Sequence, residues 1–368
     1  MPIVLDARTA NDHFPGIGRY VVNLSQALMR IAPDLDLTLL HNPAAKATRL
    51  TLPALPRIAC STSPFSIQQQ WIVPAILRQA QAKFYHSAYY LMPYLPGVPS
   101  VVTCYDLIPL IYPEYYTISQ RLICRLAHYL ALRATRVILA ISEATKADLV
   151  RVFQVDPQQV LVTPLAADAS FAPCSRMQIA AVRVKYALPE RYVLYLGINK
   201  PHKNLARLVQ TWRVVNRKSQ IPHLKLVIAG QWDERYPEAR RLAEELGLKD
   251  QVVFAGPVSE ADLPALYSGA MLFVFPSLYE GFGLPVLEAM ACGTPVVCSN
   301  TSSLPEVAGN AALLVEPQDV TALADALSRA ANDGELRQAM RQKGMTQAAR
   351  FSWERTAQET LTAYRHLM

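Results

Sequence analysis

Short apolar runs rich in β-branched residues alternate with longer helical patterns along almost the whole chain. In the first half the runs give strand candidates at Pro2–Asp6, Leu35–His41, Phe84–His86, Ser100–Tyr105, Arg136–Ser142 and Val160–Pro164. Helical patterns follow near Ile17–Ile31, Gln68–Gln81, Ile118–Ala134 and Glu143–Phe153. Because the runs are continuously apolar, as strands buried on both faces are, the pattern predicts an α/β fold with helices covering both faces of parallel sheets.

The pattern restarts after a proline-containing linker near residues 166–176. The second half contains strand candidates in the segments YVLYLG, KLVIAG, VVFAG, LFVFPS, PVVCSN and ALLVEP. A length of 368 residues also suits two domains of ordinary size. We therefore predict two Rossmann-like doubly wound domains, at residues 1–170 and 177–351. Such sheets bind ligands at the carboxyl ends of their strands, so domains facing one another would hold a ligand in the cleft between them.

Three helices are predicted to close the chain, near Val320–Asn332, Glu335–Ala349 and Ser352–His366. The third of these helices has no following strand to which the chain could cross. We therefore expect residues 352–368 to pack back on the first domain.

Composition and charge exclude several classes of protein. Hydrophobic residues make up 51% of the chain and charged residues 18%, which suits packed cores and excludes disorder. The net charge is +7, but no run of five like charges occurs, so no nucleic-acid partner is expected. Weak attraction to anionic lipid head groups stays open.

The six cysteines form no C-x-x-C pair and no zinc spacing, and several lie in apolar runs, which favours a reducing compartment. The first residues do not have the pattern of a signal peptide, and no apolar run reaches the roughly 18 residues needed to span a bilayer. We expect a cytoplasmic protein, with peripheral contact at the inner face of the membrane left open.

The most informative segment is FPSLYEGFGLPVLEAMACG, residues 275–293. It predicts a buried strand, a loop with Gly281 and Gly283, and a helix that Pro285 begins and Gly293 ends. Backbone N–H groups at such a helix N-terminus form an anion site, and glycine lets a phosphate approach closely.

Two carboxylates flank this predicted anion site, Glu280 before it and Glu288 one turn into the helix. A carboxylate beside a phosphate is repelled by it, so vicinal hydroxyls are the more natural partners. The pattern fits a ribose and a hexose on either side of a diphosphate. Either residue could instead be an ordinary loop acid or an acid favoured by the helix dipole.

The segment YLGINKPHKNLARL places Lys203 in a loop between a strand end and a helix, with Asn204 as the predicted N-cap. Opposite a diphosphate, Lys203 would neutralise leaving-group charge. A solvated loop lysine is the alternative. His202 is interpreted as a bystander.

In the first domain, Gly16 and Gly18 are predicted to lie in a turn between the first strand and a helix, with Arg19 beside them. They lack the third glycine of a dinucleotide fingerprint, so they indicate either the other side of the diphosphate site or an ordinary turn. Asp106 follows the strand VVTCYD and could accept a proton from an acceptor hydroxyl. Tyr105 could stack on an acceptor sugar or serve as a core aromatic.

These segments resemble glycosyltransferase family 4, whose members are retaining enzymes of the GT-B fold. The resemblance rests on EGFGLPVLE, GINKPHKN and the closing FSWERTAQETLTAYR. It extends to YDLIPLIYPEYY, ISEATKADLVRVFQVDPQQVLVTPLAAD and SSLPEVAGNAALLVEP, and so spans nearly the whole chain. The branch it resembles contains mannosyl- and rhamnosyltransferases of bacterial polysaccharides.

The resemblance implies roles for the matching residues. Glu288 would bind the ribose hydroxyls, Glu280 the hydroxyls of the donor sugar, and Lys203, followed by Asn204, the diphosphate. The remaining donor contacts implied are Phe282, Gly283 and Leu284 through their backbone N–H groups, and Val258 beside the base.

Two positions depart from the pattern of many family members. Ile198 stands where many have an arginine after the glycine that is here Gly197, although a branch without it carries a Lys-Asn pair like Lys203–Asn204. Tyr105 stands where many have a histidine before the aspartate.

The activity implied is transfer of a hexosyl group from a nucleoside diphosphate sugar to a hydroxyl acceptor with retention, in polysaccharide or glycolipid synthesis. The expected partners are the donor and a sugar or lipid-linked acceptor. Neither cofactor nor metal is expected, because Lys203 and the helix N-terminus would stabilise the leaving group. A nucleotide-sugar epimerase and a non-catalytic subunit of the same fold remain as alternatives, although the presence of Glu280, Glu288 and Lys203 argues against the latter.

Overall fold

A computed structural model describes residues 1–11, 15–44, 51–218 and 220–367. The chain divides into two compact units. One, hereafter unit 1, comprises Met1–Leu165 together with Ser352–Met368, and the other, unit 2, comprises Ala166–Phe351.

The strands are short and their central members are fully buried. In chain order they are β1 (Ile3–Asp6), β2 (Leu37–His41), β3 (Arg57–Ala59), β4 (Phe84–Ser87), β5 (Ser100–Cys104), β6 (Val137–Ala140), β7 (Val160–Val162), β8 (Tyr192–Leu196), β9 (Lys225–Ala229), β10 (Val252–Gly256), β11 (Leu272–Phe275), β12 (Val296–Ser299) and β13 (Ala312–Val315).

Helices follow most strands. In chain order they are α1 (Pro15–Ile31), α2 (Gln69–Gln79), α3 (Ile108–Ile111), α4 (Ile118–Ala134), α5 (Glu143–Phe153), α6 (Arg176–Lys185), α7 (Leu205–Lys218), α8 (Glu238–Glu245), α9 (Leu263–Gly269), α10 (Leu284–Ala291), α11 (Leu304–Ala308), α12 (Val320–Asn332), α13 (Gly334–Ala348) and α14 (Trp353–Arg365).

Several helix starts follow from capping chemistry that the sequence carries locally. Thr117 accepts a hydrogen bond from the Gln120 backbone N–H at 3.2 Å, while the Gln120 side chain accepts from the Thr117 N–H, a complete capping box before α4. The Ser142 hydroxyl caps α5 in the same way through the N–H of Thr145. These side chains satisfy N–H groups that the first turn of a helix leaves without partners.

The sheet of unit 1 is parallel and runs in the order β3-β2-β1-β4-β5-β6-β7. β1 pairs with β2 on one side and β4 on the other, with Ile3 opposite both Leu37 and Phe84. The chain thus winds outward in one direction from β1 and then in the other, and the direction changes between β1 and β4. This is the doubly wound arrangement that the alternation of apolar runs and helices predicts.

Unit 2 repeats the arrangement with the order β10-β9-β8-β11-β12-β13, and its winding direction changes between β8 and β11. Leu272 of β11 lies opposite Val193 of β8. Both strands are buried, so the fold class predicted from the sequence is confirmed in each unit.

The edge strand β3 was not predicted. It has only three residues, with Arg57 and Ala59 exposed, so it lacks the apolar run that marks the central strands. It pairs with β2, whose residues lie about 18 positions earlier in the chain. The spacing of apolar residues within a strand does not indicate which strand it pairs with.

The closing helix α14 packs against α1 within unit 1. Its Tyr364 ring lies 4.8 Å from Phe84, and its hydroxyl is 2.7 Å from Nδ1 of His86. His86 Nε2 in turn lies 2.8 Å from Thr103 Oγ1, which is 2.9 Å from the Tyr20 hydroxyl. A buried chain of hydrogen bonds therefore connects α14, two central strands and α1.

Burial lowers the pKa of His86 to about 3, because the charged imidazolium would lose its hydration inside the unit. The unfolded chain binds a proton near pH 6.5 while the folded chain does not. We predict that the free energy of unfolding falls as pH drops from 6.5 toward 3, with His86 contributing up to about 1.4 kcal/mol per pH unit. Urea unfolding monitored across this range measures the slope.

The variant H86Q should flatten this slope, whereas the matched control H366Q, which changes an exposed histidine, should leave it as in the parent protein. An unchanged slope in H86Q would show that His86 does not remain neutral in the folded state.

Candidate donor site

The candidate site lies in unit 2, at the carboxyl ends of β8 and β11. β8 leads into a loop and a 3-10 turn at Pro201–Lys203, and β11 leads into the loop before α10. Since β8 and β11 are neighbours at the point where the winding direction changes, the two loops lie side by side.

Lys203 and Glu280 form the central contact of the site. The Lys203 Nζ donates to both Glu280 carboxylate oxygens, at 2.6 and 2.8 Å. The side chains are only 15% and 10% exposed. The ammonium also lies 5.4 Å from the Phe275 ring centroid, so its position is fixed by charge and by an aromatic face.

Serine hydroxyls fix the loop that carries Glu280. Ser303 Oγ donates to the carbonyl oxygens of Glu280 and Phe282, at 2.9 and 2.6 Å. Ser302 Oγ accepts from the Glu280 backbone N–H at 2.9 Å. The loop is therefore held in one conformation by residues that follow the neighbouring strand β12.

The backbone at Gly283 begins α10. Its φ of 109° is one that residues with a side chain rarely adopt, and a Cβ there would lie 2.6 Å from Leu304. Among the described residues, none accepts a hydrogen bond from the backbone N–H groups of Phe282, Gly283 and Leu284. With the dipole of α10 behind them, these groups have the geometry that suits an anion, and the binding of an anion here stays a prediction. As also predicted, α10 ends just before Gly293, which has a positive φ.

Glu288 is buried one turn into α10, and its Oε2 accepts a hydrogen bond from the Tyr267 hydroxyl at 3.0 Å. Tyr267 lies in α9, which packs against α10. The two glutamates therefore lie on either side of the helix N-terminus, and each has a partner that orients it.

Asn204 is used differently from the predicted N-cap. It adopts a left-handed conformation with φ 62°, and its Nδ2 donates to the carbonyl oxygens of Pro276 and Pro317 at 3.0 and 2.8 Å. Its Oδ1 accepts from Arg207. Since both amide hydrogens are used within unit 2, the side chain ties strand ends together instead of capping α7.

His202 is buried beside Lys203. Burial, followed by the charges of Lys203 and Lys200, lowers its pKa to about 3. The backbone carbonyl of His202 accepts a hydrogen bond from the Leu278 N–H at 2.7 Å, which connects the two loops. A neutral imidazole with its main chain in this contact is consistent with a bystander.

Val258 lies two residues beyond β10 and is half-buried, at the edge of the sheet away from Glu280. In β10 itself, the Phe254 ring lies 5.3 Å from the Arg240 guanidinium, which also lies 4.2 Å from the Trp232 ring. This aromatic and arginine cluster could not be predicted from the sequence, because its members come from a loop, a helix and a strand.

In unit 1, Gly16 and Gly18 were predicted to lie in a loop turn between the first strand and a helix. They lie instead within helix α1, which begins at Pro15. Proline suits that position because a first-turn N–H has no helical acceptor. Gly16 is exposed and Gly18 buried, and Arg19 is half-buried on the same helix.

Tyr105 and Asp106 follow β5 directly. Asp106 Oδ1 accepts from the Ile108 backbone N–H at 3.1 Å, which shapes the turn into α3. The Tyr105 ring packs edge-on against Tyr20 of α1 at 5.6 Å, and burial raises its pKa well above the ordinary value. Tyr105 therefore packs against α1 within unit 1.

Two further properties concern the described part of the chain. It contains no group of three His, Cys, Asp or Glu side chains arranged to hold a metal ion. None of its helices combines the length and apolar character required to cross a membrane.

Comparison with known proteins places this geometry in a family. Residues 15–171 match Glycosyltransferase Family 4, and residues 180–347 match Glycosyl transferases group 1. The O-antigen chain mannosyltransferase B of Escherichia coli is 32% identical over 292 residues, which cover 79% of this chain and 76% of that protein. The chain belongs to glycosyltransferase family 4.

Two further comparisons show how much of the chain matches a relative and a solved structure. The serotype-specific mannosyltransferase WbdA of Escherichia coli is 32% identical over 276 residues, covering 73% of this chain but 34% of that longer protein. The solved structure of sucrose-phosphate synthase from Thermosynechococcus elongatus matches with a TM-score of 0.79 at 25% identity, covering 100% of this chain and 99% of that one. The two units of this glycosyltransferase therefore form the GT-B fold, and the predicted family and enzyme class are confirmed.

The serines that hold the loop before α10 were not predicted as part of the site. The segment SSLPEV places Ser302 and Ser303 just before the proline-started helix α11, where serine usually indicates a helix cap. The structure shows that their hydroxyls bond to the loop before α10 instead. Only knowledge of the β11–β12 pairing could have indicated this contact.

The Lys203–Glu280 pair leads to a prediction about nucleotide binding. In E280Q the carboxylate that competes with phosphate for Lys203 is removed, while the shape is kept. We predict that E280Q binds a nucleoside diphosphate without sugar about fivefold more tightly, since one nearby negative charge is worth about 1 kcal/mol at a partly exposed site. Titration calorimetry measures the change.

The variant K203M should weaken the same binding and lower the free energy of unfolding by about 1–3 kcal/mol, because Glu280 loses its partner. The double variant K203M/E280Q should recover stability but not affinity. Weaker nucleotide binding in E280Q would show that Glu280 does not compete for Lys203.

Proposed function

We propose that this glycosyltransferase transfers a hexosyl group of the mannose type from a nucleoside diphosphate sugar to a hydroxyl acceptor, with retention at the anomeric carbon, in the synthesis of a bacterial polysaccharide. The observation that carries the proposal is the convergence of Lys203, Glu280 and the α10 N-terminus at one place in unit 2. The names of the relatives, O-antigen and serotype-specific mannosyltransferases, support the sugar and the product class.

Each part of the donor has a chemically suitable partner in unit 2. The N–H groups of Phe282, Gly283 and Leu284 bind phosphate oxygens, helped by the dipole of α10. Glu280 and Glu288 accept hydrogen bonds from sugar and ribose hydroxyls respectively. Val258 contacts the base, and Asn204 keeps the loops in place without touching the donor.

The reaction exchanges one bond to the anomeric carbon for another on the same face of the sugar. The acceptor oxygen bonds to that carbon as the bond to the diphosphate oxygen breaks, and the acceptor proton moves to the departing phosphate oxygen. Lys203 stabilises the negative charge that collects on the leaving group. Since Lys203 and the helix N-terminus supply this stabilisation, we propose that neither cofactor nor metal takes part.

The acceptor is assigned to residues of unit 1. Asp106 accepts a hydrogen bond from the acceptor hydroxyl, and Tyr105 borders the acceptor. Arg19 and the N-terminus of α1, with Gly16 and Gly18, present positive charge and N–H groups that suit an anionic part of either substrate.

The acceptor is further proposed to be lipid-linked, with the glycosyltransferase acting peripherally at the inner face of the membrane. The net charge of +7 supports attraction to anionic head groups, and O-antigen synthesis is named in one relative.

Thermal stabilisation by GDP, UDP, ADP and dTDP tests the donor site first, because a ligand that binds only the folded state raises the melting temperature. We predict a shift with one nucleotide that E288A reduces strongly. The matching nucleotide sugar, mixed with sugar acceptors, should then yield a product of retained anomeric configuration by NMR, and E280Q should lower the rate by about 100-fold or more.

A suitable control is E335Q, which changes an exposed acid in the first turn of α13 and should alter neither binding nor turnover. An inverted product, or an epimerised nucleotide sugar formed without acceptor, would contradict the proposal. Normal turnover in E280Q would remove Glu280 from the site.

A further inference from the structure

Helix α4 presents a row of large apolar side chains to solvent. Ile118, Leu122, Leu126 and Tyr129 are 72%, 62%, 58% and 46% exposed. Their spacing of four, four and three residues places them on one helix face. The opposite face, including Ala127 and Ala131, is buried against the core of unit 1, so α4 is apolar on both sides.

This pattern is unusual for a surface helix, which normally presents polar residues outward. The helix α1 has the same length of 17 residues, but its neighbour α14 packs against it. A contiguous exposed apolar row instead marks a surface that contacts something else.

The same face of α4 carries positive charge without any acid. Arg125 and Arg133 are exposed beside the apolar row, and Arg121 is half-buried. No Asp or Glu occurs in the sequence between Glu114 and Glu143. The Arg133 guanidinium lies 5.5 Å from the Tyr129 ring, so it stays at the level of the apolar row.

A groove of about 480 Å³ runs between α4 and the end of α5. Leu122, Leu126 and Tyr129 line one side, and Val152 and Phe153 the other, with Arg125 at its border. Apolar walls with an arginine beside them suit an acyl chain next to a phosphate group.

We propose that the exposed face of α4 docks the glycosyltransferase on an anionic lipid bilayer. Helices that lie in a membrane interface combine a buried apolar row with flanking basic residues, and the long arginine side chains reach the head groups. Charge also argues against a second copy of this chain, because a two-fold contact of like surfaces would bring arginines together. This docking rests on the peripheral location proposed above and assigns it to one surface of unit 1.

The test measures binding of the full chain to vesicles by sedimentation, using phosphatidylcholine with about 30 mol% phosphatidylglycerol and phosphatidylcholine alone. We expect binding to the anionic vesicles that weakens as salt rises. R125E/R133E should lower the partition coefficient about 30-fold or more, since each basic residue near such a surface contributes about a factor of five. L122Q/L126Q should also lower it.

Matched controls separate the surface from general charge and hydrophobicity. R213E/R217E reverses two exposed arginines of α7, and M177Q/V184Q replaces two exposed apolar residues of α6. Both controls should bind vesicles like the parent chain.

Equal vesicle binding by R125E/R133E and the parent, or no vesicle binding by the parent, would overturn the proposal. A parent dimer that L122Q/L126Q dissociates in light scattering would overturn it in favour of a second copy. Thermal stabilisation by nucleotide is measured on the same variants, so failure of the donor site and failure of membrane docking are distinguished.

Discussion

The parallel pairing of β8 with β11 is the constraint on which the donor site depends. These strands are far apart in sequence, yet Leu272 lies opposite Val193 because the chain winds outward from β8 on one side and returns on the other. The loops that follow the two strands therefore emerge together. A shift of one residue in this register would turn the buried side chains of β11 to the other face and displace the loop that carries Glu280.

The ion pair in this site combines two requirements that usually conflict. A charge that is to act on a diphosphate must be partly shielded from water, but a shielded charge without a partner destabilises the fold. Lys203 and Glu280 neutralise one another, and serine hydroxyls hold the loop that carries the carboxylate. These contacts thus hold the ammonium and the carboxylate in one arrangement, and an anion that binds Lys203 has to rearrange it.

Continuous apolar strands and strongly periodic helices could be predicted from the sequence, because their signals are local. The bounds of α4, α5 and α12 agree with the predictions to the residue. The strand β3 and the side-chain contacts of Asn204 could not, since both depend on partners distant in the chain. The first turn of α1 was missed for a local reason, because its glycines were read as a turn although Pro15 begins a helix there. In the site, residue types and order were predictable, whereas the contacts that orient them were not.

Unit 1 is built from two segments that flank unit 2 in the sequence, since α14 packs on α1 and its Tyr364 hydroxyl contacts His86. During synthesis on a ribosome, this helix emerges only after every residue of unit 2 has been made. The continuous segment Ala166–Phe351 has its complete sequence available earlier. Domains generally fold as units once their residues have been synthesised. Unit 2 can therefore fold while the first segment of unit 1 still lacks helix α14. The first segment of unit 1 is thus made before unit 2 but completed after it.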